Sequence, residues 1–301
     1  MALSFDNRVA IVTGAGGGLG RLYALELARR GARLVINDLG GAADGTGASE
    51  GPAQLVANEI NDGGGEAMAD TNSVATSEGG AAITATAMEA FGRVDIVINN
   101  AGILRDKTFH KLEDDQLHPV LAVHLRGAFN VTRPAFVQMR EQGYGRIVCA
   151  TSNAGVLGNF GQSNYSAAKM GLVGLTNTLA LEGAKYNIKA NCIAPVATTR
   201  MTEAILGEEV KETMNPELVT PVVCFLAHED CPVSGEVYSA AGGTVARFFI
   251  GRTPGYYNPD LTVEDVAENF DQIRDESGYK VLNDANHEVG VAYKMIRAAP
   301  E

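Results

Sequence analysis

Between Arg8 and Gly20 the chain leaves the apolar run VAIV, enters TGAGGGLG and at once begins a helical pattern. No other feature of the sequence restricts the fold so tightly. Glycines stand at positions 14, 18 and 20. Without a Cβ, such a backbone turns sharply and lets a phosphate approach the main chain. The N-terminus of the following helix adds free N–H groups and a partial positive charge. A glycine loop alone is a weak signal. A strand before it and a helix directly after it are the context that gives it meaning, and the cradle then suits the pyrophosphate of a dinucleotide.

The same alternation continues along the chain. Strands are expected at Arg8–Thr13, Arg33–Asn37, Glu66–Asp70, Val94–Asn99, Arg146–Thr151, Ile188–Ile193 and Glu236–Ser239. Helical periodicity fills the gaps at Leu19–Arg30, Ala53–Asp62, Ala81–Phe91, Asp114–Arg140, Asn164–Lys185 and Glu217–Ala227. Runs such as VAIV and DIVIN are apolar at consecutive positions, as strands covered on both faces must be. The expected architecture is α/β, a Rossmann-type doubly wound parallel sheet of about seven strands with a C-terminal extension. The dinucleotide-binding and catalytic domain is expected over 1–245, with 246–301 packed on it or on a neighbouring subunit. In that extension Thr262 is placed to cap a helix, with Asp265 at the reciprocal position. The glycine-rich stretch 40–51 is either a surface insertion or a functional flap.

Composition narrows the function. Lys and Arg total 24 against 36 Asp and Glu, a net charge of −12. That balance argues against a nucleic-acid partner or an anionic membrane surface. No apolar run is long enough to span a bilayer, and the N-terminus has no secretory pattern. Four scattered cysteines fit no metal spacing, so buried thiols in a reducing, cytoplasmic setting are expected.

Eighteen residues beyond Gly20, at the end of the second strand, stands Asp38. A carboxylate there accepts the adenosine ribose hydroxyls and repels a 2′-phosphate, which points to NAD over NADP. The chemistry is expected from Ser152, Tyr165 and Lys169. Tyr165 and Lys169 are four residues apart on one helix face, so the ammonium lies near the phenol. Lowering a phenol pKa from about 10 by about 3 units needs about 4 kcal/mol. One cation at about 4 Å in an effective dielectric of about 20 supplies that order of energy. Tyr165 could then take a proton from an alcohol, while Ser152, after the fifth strand, holds the substrate oxygen.

With these residues in view, the sequence resembles the short-chain dehydrogenase/reductase family. TGAGGGLG resembles its cofactor loop, NNAG at 99–102 its motif after the fourth strand, and Ser152, Tyr165 and Lys169 its catalytic triad. Within the family, DLGG, NNAGILRDKTF, VHLRGAF and GNFGQSNYSAAK resemble the (3R)-hydroxyacyl-CoA dehydrogenase members over about residues 3–245. The resemblance implies cofactor contacts from Gly14, Gly18, Leu19, Gly20, Asp38, Ser73, Val74, Asn99, Ala101, Gly102, Tyr165, Lys169, Pro195, Val196 and Thr198. A proline–glycine pair usual after the sixth strand is here Pro195-Val196, so the nicotinamide contact there is expected through backbone alone. His124 stands where many members carry an Asn that holds a proton-relaying water, and a relay role is weighed for it against simple packing.

The resemblance further implies NAD-dependent oxidation of a secondary alcohol to a ketone, the substrate being a (3R)-3-hydroxyacyl-CoA or a hydroxysteroid. The alternatives are an NADPH-dependent 3-ketoacyl reductase and a non-catalytic dinucleotide sensor. Arg105, Lys107, Lys111, Arg247 and Arg252 are candidates for CoA phosphates. The stretch 196–220, with Thr198, Thr199, Arg200, Met201, Ile205 and Leu206, is the expected substrate lid. A homodimer or homotetramer is expected, with Gly171 and Gly174 permitting close helix approach.

Overall fold

The computed structural model describes residues 3–49, 51–199 and 207–298. The chain divides into two compact units, 1–247 and 248–301. In the first, strands and helices alternate: β1 (Val9–Thr13), α1 (Gly18–Arg29), β2 (Arg33–Asn37), α2 (Gly51–Asp62), β3 (Glu66–Asp70), α3 (Ser77–Phe91) and β4 (Ile96–Asn99). There follow α4 (Asp114–Leu121), α5 (Gly127–Gln142), β5 (Gly145–Ala150), α6 (Asn153–Leu157), α7 (Ser163–Gly183), β6 (Ile188–Val196), α8 (Glu208–Thr213), α9 (Thr220–Ala227) and β7 (Val237–Ala241).

The sheet runs in the order β3-β2-β1-β4-β5-β6-β7-β8. Every registered pair from β3 to β7 is parallel. All residues of β1, β4 and β5 are buried, as the unbroken apolar runs require. One face packs on α1, α2 and α9 through Tyr23, Leu27, Val56, Ile60 and Val223. Side chains alternate along a strand, so Ile11, Val35 and Val97 turn to the other face, where α3, α5 and α7 lie.

The expected strands are all present. The eighth, β8 (Thr244–Phe248), was not expected. It follows β7 across Gly242 and Gly243, whose φ angles of 52° and 85° suit the tight reversal of a two-residue hairpin. Its residues are mostly exposed, which leaves no apolar run to reveal it.

The expected helix over 114–140 is interrupted by a wide π turn at Ala122–Arg126. Pro119, inside α4, has no N–H for the carbonyl of Asp115. That carbonyl instead accepts from Arg105 Nη1 at 2.6 Å.

The second unit contains α10 (Val263–Glu268), α11 (Phe270–Arg274), α12 (Ala285–Ala298) and the strand pair β9 (Gly251–Arg252) with β10 (Lys280–Val281). Thr262 caps α10 as expected: its hydroxyl accepts the Asp265 N–H at 3.1 Å, and Asp265 answers at the Thr262 N–H at 2.9 Å. No described helix is long and apolar enough to cross a membrane.

Candidate active site

The strand order reverses between β1 and β4, and a crevice opens beyond their carboxyl ends, where ligands bind in doubly wound sheets. It is a cleft of about 370 Å³ lined by Gly14, Gly17, Gly18 and Leu19 on one side and by Asn100, Ala101, Gly102 and Ile103 on the other. Asn37, Asp38 and Leu39 form one end, with Asn72, Ser73 and Val74 along the wall.

Two polar residues sew the floor together. Thr13 Oγ1 accepts the N–H groups of Asn100 and Ala101, and Asn100 Nδ2 donates to the carbonyls of Thr13 and Gly14. These contacts draw the glycine loop against the loop after β4. A Cβ on Gly14 would lie 2.8 Å from Ala101 Cα, and one on Gly20 would lie 2.2 Å from the Gly14 carbonyl oxygen. Gly20 therefore serves helix packing and is absent from the cleft wall. At Gly18, with φ 52°, the space beside the backbone is open. An open glycine backbone at a helix N-terminus fits a dinucleotide pyrophosphate.

Asp38 Oδ2 accepts the Gly16 N–H at 2.8 Å and Oδ1 the Gly40 N–H at 2.7 Å. The carboxylate is thus fixed in orientation, with acceptor capacity left over for a ribose. The neighbouring Asp70 carboxylate takes Asn37 Nδ2, the Asn72 N–H and Thr86 Oγ1, which locks the ends of β2 and β3. The glycine-rich stretch proves to be a cleft wall: Gly41, Ala42, Ala43 and Gly45 line it. Its far side is held by the Leu104 N–H to the Ala43 carbonyl and by Arg105 Nε to the Asp44 carbonyl.

The three expected catalytic residues lie together beside this cleft. Ser152 follows β5 and caps α6, its Oγ accepting the Ala154 N–H at 3.1 Å and donating to Asn153 Oδ1 at 3.2 Å. Tyr165 and Lys169 lie on α7, with Lys169 Nζ 5.4 Å from the centroid of the phenol ring. Lys169 is buried and donates to the Ala150 carbonyl at 2.5 Å. Burial brings its pKa down to about 8, so it remains largely a cation at neutral pH.

Among the protein's own groups, burial works against the acidified phenol expected at Tyr165. Burial raises the Tyr165 pKa; a hydrogen bond from Ser152 lowers it, and the Asp106 charge raises it further. The largest cause is desolvation, which outweighs the favourable contact with Ser152.

His124 sits in the π turn, its ring edge-on to Tyr165 at 5.1 Å between centroids. Nε2 lies 3.0 Å from the Ile103 nitrogen and 2.7 Å from its oxygen, while buried Nδ1 has no partner. Burial, then the Lys169 charge, hold its pKa well below the usual histidine range. The imidazole is therefore neutral at pH 7, and a relay through its protonated form is not what this site supports. A void of about 10 Å³ bounded by His124, Lys169 and Asn99 is the size of one water at most.

Other expected cofactor residues separate into two groups. Leu19, Ser73, Val74, Ala101 and Gly102 do line the cleft. Asn99 is buried beneath it, giving its amide to Thr132 Oγ1 at 2.8 Å. Pro195 and Val196 end β6 in register with Ala240 and Ala241 and are not part of the cleft wall. Thr198 turns away, its N–H to the Met214 carbonyl and its hydroxyl to the Lys211 carbonyl, while Thr199 lines the cleft instead. Of the expected lid, residues 200–206 (with Arg200, Met201, Ile205 and Leu206) lie outside the described residues.

Among the candidate cations, Arg247 pairs with Glu236 and Arg252 with Glu288, and Arg105 alone lines the cleft. The cleft-wall positions of Ile103 and Arg105, and the part of Thr13 in holding the loop after β4, were not expected from the sequence. The Pro119 that leaves a carbonyl for Arg105 was a visible signal for one of them.

Comparison with known proteins agrees with this geometry. A family model described as short chain dehydrogenase matches residues 8–209. A Mycobacterium tuberculosis protein named as a short-chain type dehydrogenase/reductase is 54% identical over 277 residues, covering 92% of this chain and 97% of its own. Mouse peroxisomal multifunctional enzyme type 2 is 48% identical over 279 residues, 91% of this chain but 38% of that enzyme. The solved structure of full-length peroxisomal multifunctional enzyme type 2 from Drosophila melanogaster superposes with a TM-score of 0.82 at 39% identity, over 98% of this chain and half of that one. The chain thus spans only part of these multifunctional relatives. Sheet order, glycine cleft, the Ser152–Tyr165–Lys169 cluster and these matches together establish that the chain belongs to the short-chain dehydrogenase/reductase family, whose members bind a nicotinamide dinucleotide and act on CH–OH groups.

Proposed function

We propose that this chain is an NAD-dependent dehydrogenase that oxidises the secondary alcohol of a 3-hydroxyacyl-CoA. The observation that supports the proposal is the clustering of Ser152 with Tyr165 and Lys169 of α7, in a chain whose glycine cleft has the Asp38 carboxylate at one end. Asp38 favours two ribose hydroxyls over a 2′-phosphate, which speaks for NAD. Bound in the cleft against Gly14, Gly18, Asp38 and Val74, NAD supplies the hydride acceptor.

The chain's own residues do the rest. Ser152 Oγ, held by the Ala154 N–H, donates to the substrate oxygen. Tyr165 first gives its own proton to solvent and then, as the phenolate, takes the hydroxyl proton at its phenolic oxygen. Lys169 keeps its charge at neutral pH and stabilises the phenolate that proton transfer requires. The neutral His124 ring packs against Tyr165 and keeps water from that side. A Mycobacterium tuberculosis relative, 35% identical over 289 residues, is named a hydroxyacyl-CoA dehydrogenase, which favours the hydroxyacyl substrate; a hydroxysteroid is the competing outcome of the test. Four buried, unpaired thiols suit a reducing compartment such as the cytoplasm. Assembly into a homodimer or homotetramer is part of the same proposal. Gly171 cannot serve it, because the space beside it is filled by Leu125 of the same chain, whereas Gly174 faces open space.

The test is a set of (R)- and (S)-3-hydroxyacyl-CoAs and 17β-hydroxysteroids with NAD or NADP, followed by cofactor absorbance. NADH should form from an (R)-hydroxyacyl-CoA. Tyr165→Phe should keep its NAD affinity and lose at least about a hundredfold in kcat. Unchanged turnover in that variant would remove Tyr165 from the mechanism.

A further inference from the structure

The dipeptide Arg105-Asp106 carries opposite charges into different surroundings. Arg105 lines the dinucleotide cleft and is held by the carbonyls of Asp44 and Asp115. Asp106 is absent from that cleft and exposed. Its Oδ2 accepts Gln162 Nε2 at 2.7 Å, and Gln162 Oε1 accepts Asn159 Nδ2 at 2.9 Å, which fixes the amide's direction. Gln162 is itself buried.

Two more contacts pin this segment to the start of α7. Asn164 Nδ2, fully buried, donates to the Arg105 carbonyl at 2.9 Å, and the Lys107 N–H donates to the Gly161 carbonyl at 2.8 Å. Tyr165 is the third residue of α7. The Asp106 charge therefore has a fixed place beside the turn that carries the phenol, and it is close enough to raise the phenol's pKa. The other groups facing Tyr165 are Ser152, His124 and Lys169, of which only Lys169 is charged at neutral pH.

We propose that Asp106 is a specificity-determining residue, whose negative charge, fixed beside the turn that carries Tyr165, admits an uncharged 3-hydroxyacyl thioester and turns away the free 3-hydroxy carboxylate. The reason is geometric. The reacting hydroxyl must come within hydrogen-bond reach of the Tyr165 oxygen, and in a 3-hydroxy acid the carboxyl group is only two carbons from the carbinol. A carboxylate in that position meets Asp106 at close range, whereas a thioester carbonyl carries no charge to repel. Repulsion between like charges in half-solvated surroundings discriminates by about tenfold. This inference rests on the hydroxyacyl reading above.

Asp106→Asn provides the test, because the amide oxygen still accepts from Gln162 Nε2 and only the charge is lost; Asp106→Glu restores the charge. In Asp106→Asn, kcat/KM for 3-hydroxybutyrate should rise about tenfold relative to that for the N-acetylcysteamine thioester of 3-hydroxybutyrate, and Asp106→Glu should return the ratio toward the wild-type value. The phenol is also titrated without turnover, by ultraviolet difference spectra of each protein against its Tyr165→Phe counterpart. The midpoint should fall in Asp106→Asn and recover in Asp106→Glu. An unchanged ratio with the thioester still oxidised, or an unmoved midpoint, overturns the inference. If wild type oxidises neither alcohol, the hydroxyacyl reading fails, and the phenol midpoint then decides whether Asp106 acts on Tyr165.

Discussion

Lys169 shows how a single residue can serve chemistry against stability. Its folded pKa of about 8 lies below the 10.5 of a free lysine. Below pH 8 both folded and unfolded chains carry the charge, and the fold bears its full desolvation. Between about 8 and 10.5 the unfolded chain holds more protons, so this contribution to stability rises with pH; above that range the penalty has gone. Lys169→Met should therefore abolish turnover yet be more stable than wild type at pH 7. The gain is on the order of 2 kcal/mol: about 3 from the relieved charge, less about 1 for the lost bond to the Ala150 carbonyl. Urea unfolding across pH 7 to 10.5 should show the advantage shrinking, and a gap that does not vary with pH would contradict the assignment. The i,i+4 spacing of Tyr165 and Lys169 was legible because helix geometry alone brings them together. The state of His124 was not, because its burial and its contacts with Ile103 come from a segment twenty-one residues away.

At the scale of elements, the loop after β4 and the π turn interlock. A Cβ at Gly102 would lie 2.4 Å from His124 Cε1. Gly102→Ala should displace the ring, cost about 1–3 kcal/mol in chemical denaturation and lower kcat as Tyr165 loses its packed neighbour. Because the clash is with one side chain, Gly102→Ala combined with His124→Ala should cost less stability than the sum of the two single changes; strict additivity would show that the strain lies elsewhere. Most elements were legible from periodicity, and their boundaries fell within a few residues of those observed. The interruption of the long helix was not, since Pro119 is tolerated only where Arg105 replaces the missing donor. β8 was missed because an exposed strand carries no apolar pattern.

For the whole molecule, cofactor binding should appear as stability. A ligand that binds only the folded state at about 100 times its Kd stabilises by about 2.7 kcal/mol. Thermal unfolding should therefore shift upward with NAD and much less with NADP at equal concentration. Asp38→Ala should narrow the difference by removing both the ribose acceptor and the repulsion of a 2′-phosphate. Equal shifts with the two cofactors in wild type would contradict the role given to Asp38. The net charge of −12 argues against a nucleic-acid or anionic-membrane partner, yet it says nothing of where individual charges go. Arg247 and Arg252 proved to be paired with local acids, while Arg105 was drawn to the cleft by two backbone carbonyls.

By itself the sequence determined the order of strands and helices, the glycine turn at β1, the acid at the end of β2 and the pairing of phenol with amine along α7. These follow from rules that act over a few residues: apolar period, positive φ and helix spacing. Tertiary structure alone decided that the 40–51 stretch walls the cleft, that Thr199 rather than Thr198 lines it, that burial raises the pKa of the Tyr165 phenol, and that Asp106 is bonded to Gln162 at the start of α7. Burial and long-range contact set each of these, and both depend on where distant segments pack, which no local pattern records.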